Sequence, residues 1–561
     1  MIWLRAALTP VLLVLANLTF GESTACRAGH AFADATLHSV DPQQLIHDLK
    51  LASPLQLEHA RVIQQNIFAE PSNWLYLKLN QWHTPTRRST ILSTLPFSQG
   101  DWVDVSMLTE AERLLRSRPF FYDARILIKR TCATTVDIDI VVREVWTLTP
   151  ALSASREGGE SDYQIGVADS NWQGTGRDLS FVIARDAEET EFGLRFKDHD
   201  RPNRWLRSLI SQVGPDAYRY ALAVEKPFLT ANTTSARGFR AASTKTLKKL
   251  YLLGREVTRF NTTSRMTDVF AARAWFDPPH SDRINRFYVG FRYEQESGET
   301  VWLDDSPIFE RYNRVLLYPY IAWESASNRF SKLKHFHHLG RDEDISTGWN
   351  TFMRLGYTSR SVISNATTLQ VEALLSRNWL LNDTHVATAV LSARGHYSLP
   401  DFTPDNQIVS LRAAYLHAFS PQTKFFASFD FSRGRNLDHA HFFELGGEQG
   451  LRGYSNHFQT GTRMYRLLME YRYESRIRPL NLFALGFVSF FEAGRAWFAR
   501  TPALWRDSGQ DNILSNIGFG VRLHSIRTGS SQTIHIDLAR PLRDPGKQSS
   551  YALSVSVRKG I

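Results

Sequence analysis

The chain has 561 residues, 43% of them hydrophobic, and its 14 Trp, 19 Tyr and 35 Phe make it 12% aromatic. That is too apolar for a disordered protein and long enough for more than one domain. A formal net charge of +10 is spread without a Lys/Arg block, which argues against a dedicated nucleic-acid surface, and two cysteines exclude a disulfide-dense scaffold or a four-cysteine zinc site.

In chain order, residues 1–5 form a short positive start, residues 6–20 an apolar stretch, and small residues follow at Gly21, Ser23 and Ala25. This is the layout of a secretory signal peptide over residues 1–25, cleaved after Gly21 or after Ala25. Beyond it no apolar run reaches the roughly 18 residues of a membrane helix, so a helical membrane protein is excluded. Cleavage after Ala25 leaves Cys26 at the new N-terminus. Three fates stay open for the cysteines: a Cys26–Cys132 disulfide, two free thiols, or lipidation of Cys26.

Residues 26–66 read as a soluble helical segment, with Leu45, Leu49, Leu55, Leu57 and Val62 set among charges. Residues 67–150 read as a small α+β unit. Its expected elements are strands at 74–79 and 89–93, a turn at 98–101, a helix at 107–116, and strands at 124–129 and 136–142. Strict alternation in the last run marks a sheet with one buried face.

From about residue 160 no helical period returns. Segments of about ten residues alternate instead, as at 287–294, 425–432 and 467–473, each with an aromatic-rich face opposite a face of charges and glycines. A soluble β-sandwich alternates too. The export signal, the aromatics near strand ends and the alternation of short and long loops favour a closed antiparallel barrel, the only sheet that spans a bilayer. About 400 residues at about 25 per strand plus loop predict an all-β outer-membrane barrel of about 16 strands over 160–561.

Residues 446–454 read Gly-Gly-Glu-Gln-Gly-Leu-Arg-Gly-Tyr, and residues 490–497 read Phe-Phe-Glu-Ala-Gly-Arg-Ala-Trp. With the strand around Glu470 between them, this resembles the outer-membrane assembly superfamily typified by BamA and TamA, also called the bacterial surface-antigen family. The resemblance implies that Leu451, Arg452, Gly453 and Tyr454 form the tip of a loop folded back into the barrel, with Glu470 and Glu492 as acidic partners of Arg452. Phe490 and Gly494 belong to the second motif strand, where the family usually has Asp in place of Glu492. Glu470 and Glu492 share the inward parity of their strands. The glycine pair Gly446/Gly447 is expected to allow the fold-back and Gly453 the sharp tip. The chain ends Arg558-Lys559-Gly560-Ile561 instead of on the family's usual terminal aromatic.

By the same resemblance the 67–150 unit is a polypeptide-transport-associated (POTRA) domain in the periplasm, and residues 171–177 lead into the first barrel strands. The implied function is assembly, insertion or translocation of proteins at the outer membrane. Implied partners are the lipid bilayer, unfolded outer-membrane or exported clients, and a periplasmic accessory protein, with no nucleic acid. A passive channel and a secretion pore for one dedicated partner are the alternatives.

Other candidates have plainer readings. His335, His337 and His338 beside Asp342, Glu343 and Asp344 lack recurring ligand spacing and read as a loop, not a metal site. Gly174-Thr175-Gly176 reads as a turn. Without Gly-x-Ser-x-Gly or His-Glu-x-x-His, no enzyme activity, catalytic residue, metal or cofactor is expected.

Overall fold

The computed structural model describes residues 27–28, 54–67, 74–150 and 152–559, except 158–159, 186–188, 201–204, 253–254, 277–281, 304–311, 335–341, 383, 439–440, 448–449, 500–511, 526–531 and 544–549. The signal-peptide reading, Cys26 and the 335–338 histidines lie outside the described residues. Cys132 is in a disulfide.

The α+β unit is built from β1 (Arg27–Ala28), β2 (Leu55–Gln65), α1 (Trp74–Trp82), α2 (Arg88–Leu92), β3 (Trp102–Val103), α3 (Val105–Arg116), β4 (Phe121–Thr131) and β5 (Thr135–Glu144). The sheet order is β1-β4-β5-β2-β3, with β2 parallel to β5 and β4 antiparallel to it. Three expectations are corrected here. Residues 55–65 are a strand, not part of a helical segment, so the unit begins before residue 67. Residues 74–79 and 88–92 are helical, not strands.

Composition explains each miss. Leu55 and Leu57 are the buried members of an alternating run, and charged neighbours hid that period. Residues 74–79 are almost continuously apolar, a pattern that periodicity cannot assign. Once β2 fills the sheet position beside β5, the following segments lie across the sheet as cover. Helix α3 follows ordinary rules. Asp104 caps it by accepting the Met107 N–H at 2.8 Å, and Leu108, Ala111 and Leu115 point into the core. There they meet Leu57, Ile91, Phe120, Ile138 and Ile140, and each large side chain so buried contributes roughly 1.5–3 kcal/mol.

The rest is a closed antiparallel barrel. It has twenty strand positions, because Leu148–Pro150 and Ser153–Glu157 succeed one another along the same neighbour and form one first strand. That exceeds the expected sixteen or so. The early strands explain the excess, since those between residues 160 and 226 begin only about 15 residues apart. The four strands from Arg177–Arg185 to Tyr218–Lys226 hold 9–11 residues, and the next three, from Ser235–Leu252 to Arg283–Leu303, hold 18–22.

Alternation decides which face sees what. Phe287, Val289 and Phe291 are 53–64% exposed on the outer wall, and Tyr163, Ile165 and Val167 near the first hairpin are 44–61% exposed. Glu470, Glu492, Asp430 and Asp537 lie inside and are buried. An apolar outer wall around a charged interior is the surface of a membrane-spanning barrel. The α+β unit sits at one rim, here the near rim. Its Arg87 N–H donates to the Gly174 carbonyl at 2.9 Å in the turn after Glu160–Trp172, and Asn171 Nδ2 donates to the Thr86 hydroxyl at 2.8 Å.

Neighbouring barrel strands pair over many residues, up to nineteen between Arg255–Phe276 and Arg283–Leu303. The seam differs. Among the described residues the last strand, Ala552–Lys559, runs beside the first and makes one ladder pair with it, Val555 with Arg156.

Candidate functional site: an arginine lock inside the barrel

The long far-rim loop between Thr423–Arg435 and Arg463–Glu474 turns back into the lumen. Its stem is a short hairpin, Phe443–Leu445 paired with Gln459–Gly461. The fold-back occurs at Gly446 (φ +133°) and Gly447 (φ +48°), the pair expected to allow it. A Cβ at Gly446 would lie 2.2 Å from the Ser455 carbonyl oxygen, so a side chain is excluded by space as well as by φ. Gly453 has no positive φ and is not a tight-turn glycine as expected. It lets the loop touch the wall, where a Cβ would sit 2.8 Å from Asn516 Cβ.

Leu451 and Tyr454 anchor the loop and are fully buried with Leu445, Phe458, Ala496 and Leu514. The Tyr454 hydroxyl lies 3.0 Å from the Ser515 carbonyl and 3.1 Å from that of Arg543, and accepts from the Ser515 N–H at 3.3 Å. Between these anchors Arg452 reaches three strands. Its backbone N–H and Nε donate to Glu492 at 2.9 Å each, Nη2 donates to Glu470 at 3.0 Å, and Nη1 donates to Asp537 at 3.1 Å. The guanidinium carbon stands 3.5 Å from the Phe490 ring centre, so the fork is bonded at its edge and stacked on its face.

Register places these groups. Glu470 lies opposite Phe490, Phe490 opposite Gly518, and Asp537 opposite Gly520. The two glycines make the room: a Cβ at 518 would fall 2.4 Å from the Phe490 ring, and one at 520 would fall 1.8 Å from Asp537 Oδ1. Gly494 admits Leu445 of the loop stem, 3.0 Å from where its Cβ would be.

The structure therefore brings Arg452, Glu470, Glu492 and Phe490 together, with Leu451, Gly453 and Tyr454 seating them. Sequence reasoning missed three members. Asp537 is a third carboxylate on Arg452. Arg472 donates to Glu470 at 2.8 Å, and Arg522 donates to Asp537 at 2.7 Å. Three cations thus face three carboxylates, which keeps a buried cluster neutral. Asp537 had a readable signal, an acid between Ile536 and Leu538 in an alternating strand; the two arginines had only their parity. Beside the lock lies a cavity of about 310 Å³, where Asp430 bridges Arg412 and Arg466 at 2.7 Å each.

The stem is held as tightly as the tip. A Cβ at Gly461 would lie 2.3–2.4 Å from the backbone N, O and C of Trp497, atoms that cannot rotate away. Gly461→Ala is expected to destabilise the folded barrel by about 2–3 kcal/mol, read as a lower urea midpoint at unchanged slope.

No protein-family model matches the chain, and no curated protein matches it. Among solved structures it is similar to CdiB from Acinetobacter baumannii, at 11% identity and TM-score 0.46 over 91% of this chain and 74% of that one. It is also similar to BamA from Haemophilus ducreyi lacking POTRA domains 1–3, at 12% identity and TM-score 0.39 over 90% and 84%. A third is the FrpB iron transporter from Neisseria meningitidis, at 9% identity and TM-score 0.39 over 79% and 87%. These values carry no assignment of family or function.

Proposed function

We propose that the protein is an outer-membrane insertion or translocation factor, with its near rim and POTRA-like α+β unit in the periplasm. The observation that carries this reading is the seam. Among the described residues one ladder pair, Val555 with Arg156, is made where the last strand runs beside the first, against up to nineteen between other neighbours of the sheet. A seam so weakly joined separates at small cost and presents two unpaired edges, which template an incoming strand by main-chain hydrogen bonding. Arg452 and its carboxylates are positioning residues here: they fix the loop against the last strands and hold the seam's geometry. The reading includes no catalytic step.

The test is a reversible tether. With Arg156→Cys and Val555→Cys, oxidation is expected to stop the function and reductant to restore it. The function is read as recovery of barrel proteins in the outer-membrane proteome of a deletion strain. Loss of one exported protein alone would make this a dedicated secretion pore. A proteome indifferent to deletion and to oxidation would overturn the proposal in favour of a passive channel.

A further inference from the structure

One flank of the outer wall carries charge of a single sign. On the strands Tyr218–Lys226, Ser235–Leu252, Arg255–Phe276 and Arg283–Leu303 the outward parity is set by Leu222, Phe239, Val269 and Phe291, all exposed. Within 218–226, 235–245, 265–275 and 285–295 the positions that share this parity hold no carboxylate. They hold five cations, Lys226, Arg237 and Arg273 toward the near rim and Lys245 and Arg265 toward the far rim. Eight residues separate Arg237 from Lys245, and eight separate Arg273 from Arg265. At the usual rise and tilt that is about 21 Å of height, close to the roughly 25 Å apolar band of an outer-membrane barrel. The two levels therefore lie where the lipid headgroups lie on either side of the membrane.

The near level is the denser. Lys226 stands directly opposite Arg237 in the ladder between their strands, and Arg237 is diagonal to Arg273, whose own partner is Ser235. Opposite side chains stand about 5 Å apart at Cβ and diagonal ones about 7–8 Å, so three cations share one patch. Like charges directly opposite weaken a ladder, and an anion between them removes that penalty. The Arg237 guanidinium also reaches over the Trp205 ring, 5.5 Å from its centre, and Trp275, two residues rimward of Arg273, is 68% exposed. Both rings suit a membrane interface, where one end is apolar and the other wet. The α+β unit marks the near rim on this flank. Leu114 and Arg118 face Trp205 and Pro227 across a cavity of about 30 Å³, and Arg116 of α3 donates to both oxygens of Asp344, at 2.9 and 3.0 Å, in the hairpin of Phe330–Lys334 with Asp342–Ser346. Arg237 and Arg273 stay exposed beside it.

We infer that Lys226, Arg237 and Arg273 form a binding site for the phosphate of an anionic phospholipid in the leaflet at the near rim. The surroundings select the occupant. Three cations alone would take any oxyanion, but the next outward positions above them are Val224, Phe239 and Ala271, continuous with the lipid-facing wall. That suits a ligand whose phosphate carries acyl chains. A zwitterionic headgroup brings its own ammonium against three cations, whereas phosphatidylglycerol brings none. The two guanidinium forks donate to phosphate oxygens in pairs, and the Lys226 ammonium adds a point charge.

The test uses the full-length protein in nanodiscs of phosphatidylcholine with a minor share of phosphatidylglycerol. No client is present, so its failure is separable from that of the proposed function. Native mass spectrometry reads which lipid stays bound. The parent is expected to retain phosphatidylglycerol in preference to phosphatidylcholine. The triple variant Lys226→Gln, Arg237→Gln, Arg273→Gln should weaken that preference roughly a hundredfold. Arg237→Lys with Arg273→Lys keeps the charge and should retain most of it. Lys245→Gln with Arg265→Gln, at the far level, should change it by about twofold or less, and excess inorganic phosphate should not displace the lipid. Heat-modifiable gel mobility confirms that each barrel is folded. The inference is overturned if the parent holds both lipids equally, or if the folded triple variant keeps the preference. It is equally overturned if the far-level variant loses as much as the triple variant, which would mean that charge anywhere on the wall suffices, or if inorganic phosphate strips the lipid.

Discussion

Arg452→Ala is expected to destabilise the barrel by about 3–5 kcal/mol, because it leaves one uncompensated negative charge among Glu470, Glu492 and Asp537 in a nearly dry site. The loss has two parts, the three side-chain hydrogen bonds of the residue and the imbalance it leaves behind. A second substitution separates them. Adding Glu492→Gln restores the charge count, with Arg472 and Arg522 facing Glu470 and Asp537. The double variant is therefore expected to be more stable than Arg452→Ala alone. Urea unfolding followed by heat-modifiable mobility checks this. A double variant that loses the sum of the two single effects would mean that the charges act independently and that the cluster is not one electrostatic unit. Arg452→Lys keeps the charge but not the fork, so it should retain part of the stability while losing contact with at least one of the three strands.

Tyr454→Ala is the second large effect. The ring is wholly buried against Phe458, with ring centres 5.3 Å apart, and its hydroxyl ties the loop to the wall at Ser515 and Arg543. Truncation should cost about 3–5 kcal/mol, by analogy with buried aromatic-to-alanine changes. Tyr454→Phe keeps the ring and takes the hydroxyl from the Arg543 carbonyl, while the Ser515 carbonyl still accepts from the Leu542 N–H, at about 1–3 kcal/mol. Protease cleavage of the 436–462 loop gives an independent readout: Tyr454→Ala should be cut rapidly and Tyr454→Phe slowly. Equal protection of both variants would show that Arg452 alone seats the loop.

The barrel was legible because alternation is a direct imprint of a wall with lipid on one side and charge on the other, as at Phe287, Val289 and Phe291. The strand number was not, since it depends on turn spacing, and residues 160–226 pack strands more densely than an average assumes. The lock was half legible. Arg452, Glu470 and Glu492 stand in recognisable motifs, whereas Asp537, Arg472 and Arg522 join through register, which single-strand patterns do not encode. The helices of the α+β unit were misread where continuous apolar runs suit either state, and β2 where charges masked a period of two. The contact between α3 and the 330–346 hairpin had no sequence signature, because it joins residues more than two hundred positions apart.

The unequal strand lengths have a consequence for the bilayer itself. Nine residues rise about 30 Å along a strand, and at the usual tilt of a barrel wall that becomes about 23 Å of height. The flank from Arg177–Arg185 to Tyr218–Lys226 thus about matches the roughly 25 Å apolar band of an outer-membrane barrel, while the adjoining strands rise well above it. A wall cut on such a slope ends near the lipid surface on one flank and stands clear of it on the other.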